Sequence, residues 1–173
     1  LSRHEKCVAI GEIGLDYYWS SDFAQQQRQV LKAQLEYASK AGLPVIIHER
    51  NATADMMEIM QPFKGRLTGV FHAFTGSVET YRRIAALTGF KVGIGGVVTF
   101  KNAGIAKTVL QIPLEDIVLE TDSPYLTPAP FRGKRNESGY IPLVAAKVAE
   151  VKGIDIKEVA EVTTENAEKL FKI

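Results

Sequence analysis

Four residues with metal-ligating side chains each follow a short apolar, strand-like run. Glu12 comes after Val8-Ala9-Ile10, His48 after Val45-Ile46-Ile47, His72 after Val70-Phe71, and Asp122 after Leu119. In parallel α/β proteins the C-terminal ends of the strands are where loops converge and active sites assemble. A lone histidine beside an apolar strand reads as an ordinary hydrogen-bonded rim residue, but one position used four times points to a shared divalent-metal site. Imidazole and carboxylate together suit zinc, manganese or iron. Such a cation polarises a substrate oxygen and brings the pKa of a bound water toward neutrality. Glu12 suits the task of bridging two metals and Asp122 that of taking a proton from water. His4 follows no such run and reads as a surface residue.

A second chemistry lies about ten residues beyond Asp122, in Arg132-Gly133-Lys134-Arg135-Asn136. Arginine forks match phosphate oxygens, so Arg132, Lys134 and Arg135 form a candidate phosphate clamp, with Arg50 beside His48 as a further candidate. In isolation the same run reads as a solvated loop. Tyr17, Tyr125 and Phe131 offer either stacking faces for bases or rim packing. The formal net charge is +1, so no global field recruits nucleic acid or a membrane, and any polyanion must be met by a local patch.

The elements that must position these residues follow a βα rhythm. Five nearly continuous apolar runs, Val8–Ile10, Leu43–Ile47, Leu67–Phe71, Phe90–Val98 and Ile117–Leu119, read as strands buried on both faces. Between the first two, Phe23, Gln27, Val30, Leu31, Gln34, Leu35 and Ala38 lie at helical spacing, with Asp22 and Gln25 as a capping pair and Gly42 and Pro44 as the stop. Further helices are expected from Asn51 to Met60, with Met56, Met57, Ile59 and Met60 as packing groups, and from Ser77 to about Leu87. Near the end, Pro142 fits the first turn of a helix showing Val144, Val148 and Val151 inward, and Asp155 with Glu158 caps another. Gly11 and Gly14 flank Glu12 and let backbone approach it closely. Gly93, Gly95 and Gly96 resemble a phosphate-binding loop only superficially, since they lie in a strand-like run without a clear helix start after it.

At 173 residues the chain holds one domain with a substantial core, residues 1–173, and no linker divides it. The single cysteine, Cys7, forms no internal disulfide and fits a reducing compartment. The sequence has no apolar run long enough to span a bilayer and no signal-peptide pattern at its start, so the cytoplasm is the expected location.

Five ordered motifs, Gly11-Glu12-Ile13-Gly14-Leu15-Asp16, Leu43 to Arg50, Phe71 to Gly76, Glu120 to Leu126 and Arg132 to Glu137, together with Thr163 to Phe171, resemble the TatD family of metal-dependent deoxyribonucleases. The resemblance implies a (β/α)8 TIM-barrel-type metallo-hydrolase with one or two divalent metal ions, magnesium, manganese or zinc, cleaving DNA phosphodiester bonds from strand ends. It makes Glu12 the bridging ligand, places His48 and His72 at one metal, and makes Asp122 a ligand at the other and the general base. Family members begin with a strand ending in a His-x-His pair, and none is present among the three histidines of this chain. Such barrels take about 250 residues, so the expectation is an incomplete barrel of about five of eight βα units, the C-terminal part of a longer enzyme. If it stood alone, open strand edges would invite self-association. Two other readings remain: an amide or lactone hydrolase on the same scaffold, and a catalytically silent fragment or interaction module.

Overall fold

The computed structural model describes residue 4 and residues 6–173. Two compact units make up the chain: residues up to His72 with Arg82–Lys91 and Lys169–Ile173 form the first, and Ala73–Tyr81 with Val92–Glu168 the second. Among the described residues five strands run in chain order, β1 (Ile10–Asp16), β2 (Val45–Arg50), β3 (Gly69–Phe71), β4 (Phe90–Ile94) and β5 (Ile117–Leu119). This is the order that successive βα units produce. Among the described residues, six α-helices follow them in turn, the last two both after β5: α1 (Ala24–Ala41), α2 (Thr53–Met60), α3 (Val78–Ala85), α4 (Ile105–Val109), α5 (Ile141–Lys152) and α6 (Ile156–Phe171). Among the described residues, no helix is long and apolar enough to cross a membrane.

In the first unit, β2 pairs in parallel with β1 and with β3. Leu15, Val45 and Ile47 from the strands and Leu31, Leu35, Met56 and Met60 from α1 and α2 are fully buried, so the methionines are packing groups as expected. Removing each large apolar side chain from water contributes about 1.5–3 kcal/mol. Gly42 ends α1 in the left-handed conformation (φ 66°), its N–H bonding to carbonyls of the last turn, which glycine does without a Cβ penalty. Asp22 and Gln25 do not cap α1: the residue before the helix is Phe23, and no side chain bonds to the first turn there.

The first strand is not Val8–Ile10. It begins at Ile10 and extends to Asp16, because the pairing with β2 runs through Gly14–His48 and Asp16–Arg50. Glu12 therefore lies within β1, where the register shifts between Ile10 and Ile13. Such irregularities re-aim side chains at functional rims. Gly14 has a steric reason: a Cβ there would stand 1.8 Å from the His48 carbonyl oxygen.

In the second unit, Val92–Ile94 of β4 pair with Ile117–Leu119 of β5. The run expected as one strand to Val98 divides: β4 ends at Ile94 and residues 96–99 form a 3-10 turn. Its glycines answer close approaches, since a Cβ on Gly93 would meet the Glu120 carboxylate and one on Gly96 the Leu126 carbonyl oxygen. Pro142 sits in the first turn of α5, and Val144 and Val148 are buried, while Val151 stays half-exposed. Asp155 accepts the Lys157 N–H at 2.7 Å at the start of α6. Asn166 on α6 donates to the carbonyls of Leu114 (2.9 Å) and Ile117 (2.8 Å), fixing that helix to the entry of β5.

Candidate metal centre

Glu12, His48 and His72 converge in the first unit. The Glu12 Oε1 atom is 2.8 Å from Nδ1 of His48 and 2.9 Å from Nε2 of His72, and these two nitrogens are 3.2 Å apart. Three sequence-distant elements supply them. Glu12 comes from the irregular stretch of β1, His48 from the outer half of β2, and His72 from the residue after β3, where its backbone N–H extends the ladder to Ile47 (3.0 Å). Two imidazole nitrogens and a carboxylate oxygen are a donor set for a divalent transition metal. Atoms bound about 2.0–2.2 Å from one tetrahedral zinc lie about 3.3–3.6 Å apart, so the three atoms, now 2.8 to 3.2 Å apart, would have to open by about half an ångström to share one cation.

The outer ring nitrogen of His48, Nε2, is 3.0 Å from Asp16 Oδ2. Asp16 also accepts the Tyr18 N–H (2.9 Å), and its backbone is clamped on both sides by the Gln27 amide of α1, at 2.8 and 2.9 Å. Burial pushes the Asp16 carboxyl up, but the bonds from Tyr18 and His48 outweigh it and hold the carboxyl below its ordinary value. A carboxylate behind a ligating histidine selects its tautomer and orientation. In the sequence Asp16 stands in a motif with no assigned role, and Gln27 falls in a mostly apolar helical stripe. The signal was there: a glutamine on an otherwise buried helix face needs a polar partner.

Arg50, at the end of β2, lies with its guanidinium 3.5 Å from the centre of the Tyr18 ring. The Tyr17 ring is half-buried, and its hydroxyl donates to Asp55 (2.9 Å). Asp55 and Glu58 of α2 both pair with Arg28 of α1, at 2.7 and 2.9 Å. Glu49 accepts the Ala52 N–H (2.8 Å) and the Thr53 hydroxyl (3.0 Å), which starts α2.

Asp122 is carried by the second unit, three residues beyond β5, half-buried and with a left-handed backbone (φ 55°). Aspartate tolerates this conformation better than most residues, and such positions persist where the surroundings hold them. What holds it is Asn136, only 2% exposed, whose amide donates to the carbonyls of Thr121 and Tyr125, both at 2.6 Å, on either side of Asp122. Its backbone N–H reaches the Pro124 carbonyl (3.0 Å), and its side-chain oxygen accepts from Glu137 (2.9 Å). Glu120, two residues before Asp122, accepts the N–H of Ala73, the neighbour of His72 in sequence.

In the basic segment, Arg132 is spread over the Phe100 ring at 3.8 Å, while Phe131 stacks on Tyr140 (4.8 Å) with Lys134 5.6 Å above it. Phe131 therefore packs within the loop, whereas Tyr125 stays 71% exposed. Thr127 donates to the Lys134 carbonyl at 2.5 Å, and Arg135 remains exposed.

The profile of the TatD related DNase family matches residues 1–172. The chain is 46% identical over its whole length to an uncharacterized metal-dependent hydrolase, YabD, of Bacillus subtilis (strain 168), covering 68% of that protein. It is 38% identical to the uncharacterized metal-dependent hydrolase YcfH of Escherichia coli (strain K12), again over its whole length and 66% of the relative. Among solved structures, YjjV, a TatD homolog from Escherichia coli K12, superposes with a TM-score of 0.93 at 31% identity, over 99% of this chain and 66% of that one. The chain thus spans about two thirds of the length of these relatives, and its fold is that of the corresponding part of a TatD-like TIM barrel.

Proposed function

From the premise that this chain belongs to the TatD related DNase family of metal-dependent hydrolases, we propose that it acts on DNA, cleaving phosphodiester bonds with attack at strand ends. The observation that carries the reading is the Glu12–His48–His72 cluster, with ligand atoms 2.8 to 3.2 Å apart. These three residues would hold a divalent cation, manganese or zinc more readily than magnesium because two of the donors are imidazole nitrogens. When bound, it would supply Lewis-acid polarisation and a lowered pKa for water.

The chain's own residues do the rest. Asp16 and Gln27 fix the His48 ring, so the site is set before substrate arrives. Asp122, anchored by Asn136, takes the proton of the attacking water on a carboxylate oxygen. Arg50, Arg132, Lys134 and Arg135 bind phosphate, Arg132 with its guanidinium carbon 3.8 Å over the Phe100 ring. DNA rather than a neutral amide or lactone is favoured by the family's description and by the lack of a carboxylate partner for Arg132, Lys134 or Arg135 among the described residues.

The test is degradation of end-labelled DNA with added manganese or zinc, with and without chelator. Cleavage is expected only with metal, and Asp122→Ala is expected to remove turnover while leaving the circular dichroism spectrum unchanged. Equal cleavage in excess EDTA would end the proposal, and full activity of the Asp122 variant would remove that residue from the mechanism.

A further inference from the structure

Away from the Glu12 cluster's own unit, the second unit holds a cleft of about 630 Å³ walled by Thr99–Ala103 on one side and by Ala129, Pro130 and Arg132 on the other. Its size falls in the range of about 300–1,000 Å³ typical of small-molecule sites. The two walls are tied together, because the Thr99 hydroxyl oxygen accepts the Ala129 N–H (2.8 Å) while donating to the Gly96 carbonyl (2.7 Å). Both walls continue the segments that line the recess containing Asp122, through Val97 and Val98 on one strand-to-helix connection and Leu126 on the other.

The chemistry of the lining is one-sided. Lys101 and Arg132 are the charged groups, no carboxylate lines the cleft, and neither cation has a carboxylate partner among the described residues. Arg28, Arg66 and Lys147, by contrast, are paired with Asp55, Glu36 and Glu150. The Arg132 guanidinium carbon lies 3.8 Å over the Phe100 ring while the side chain stays exposed, so a cation–aromatic pair stands in the cleft wall where a planar group can meet it. Ala103, Ala129 and Pro130 supply an apolar wall for a sugar or base contact, and Asn102 adds one amide side chain to the lining. Unpaired cations beside a planar stacking face and an apolar wall complement a nucleotide: phosphate on the cations, ring on the face.

We propose that this cleft is a nucleotide subsite for single-stranded DNA, with a phosphate of the strand on Arg132 and Lys101. The assignment rests on the nuclease reading for its substrate class but predicts binding that needs no metal. It reads sequence weakly, since base stacking is tolerant of base identity.

The experiment is fluorescence anisotropy with the full chain in EDTA, using a labelled thymidine oligonucleotide and an abasic strand of equal length, over a range of salt. Lys101→Glu and Arg132→Ala are each expected to weaken oligonucleotide binding about ten-fold or more. Arg132→Ala is also expected to reduce the slope of log K against log salt by about 0.7, the value for one lost phosphate contact on a single strand. The abasic strand should bind more weakly than the thymidine strand. Because Lys101 is exposed, its variant reports even if Arg132→Ala disturbs the loop. Unchanged affinity in Lys101→Glu, or equal binding of the abasic strand, overturns the subsite. Metal-dependent DNA cleavage that persists alongside that result leaves the nuclease reading standing. Conversely, metal-free binding that responds to both variants in a chain that cleaves no DNA supports the subsite and removes the nuclease reading.

Discussion

Asp16 shows how much of a site depends on a residue that touches no substrate. It lies 3.0 Å from the outer nitrogen of His48 and is itself held by Gln27, so the orientation of a ligand on β2 is set from α1. Replacing such a partner costs about 10–100-fold in metal affinity in comparable sites. Asp16→Asn is accordingly expected to weaken zinc binding by that order in a chelator-competition titration, while Glu12→Gln, which removes a converging ligand, should weaken it further. Asn136 plays the equivalent part for Asp122. Its amide satisfies two backbone carbonyls in a buried setting, so Asn136→Ala leaves those acceptors unpaired. Each unsatisfied buried group costs about 1–3 kcal/mol. The variant should unfold at correspondingly lower urea concentration.

Between elements, the tightest constraint is the approach of β1 to β2. Gly14 lies opposite His48, and an added Cβ would collide with backbone that cannot yield. Gly14→Ala is expected to destabilise by about 1–3 kcal/mol or more, measured by denaturant unfolding, and to lower metal affinity with it because the same strands carry Glu12 and His48. The α1–α2 contact has a pH signature. The Arg28 guanidinium, and then the Tyr17 hydroxyl, hold the Asp55 carboxyl below its ordinary value of 3.8. A depressed carboxyl contributes stability that is full above the unfolded value and is lost as pH falls through the folded one. Asp55→Asn should therefore flatten the acid limb of a stability-against-pH curve and leave its dependence around neutrality unchanged.

For the whole molecule, metal and charge act by mass action and by locality. A cation that binds the folded chain and not the unfolded one adds about 2.7 kcal/mol at a hundred times its dissociation constant. Zinc or manganese should thus raise the melting temperature with a stoichiometry of one per Glu12–His48–His72 cluster, and EDTA should reverse it; a melting curve indifferent to both would count against a metal at that cluster. With a net charge of +1, the chain has no long-range attraction for DNA. If DNA is the substrate, its affinity would rest on a few local cations, and its salt dependence should be correspondingly shallow.

Residue order alone determined the βα rhythm, the buried methionines of α2 and the Gly42 stop of α1, and it singled out Glu12, His48, His72 and Asp122, of which the first three cluster in the first unit. Each of these follows from local pattern, because hydrophobic period, turn chemistry and ligand type are properties of short segments. The extent of β1 was not legible. Glu12 and Asp16 break the apolar run, and only pairing with β2 keeps that stretch extended. Nor was the role of Asp16, Gln27, Asn136 or Phe100, since each acts through a partner 11 to 32 residues away. Composition and spacing name the groups capable of chemistry; only the tertiary structure decides which polar side chain stands behind which, because hydrogen bonds between distant segments depend on a packing that no local window contains.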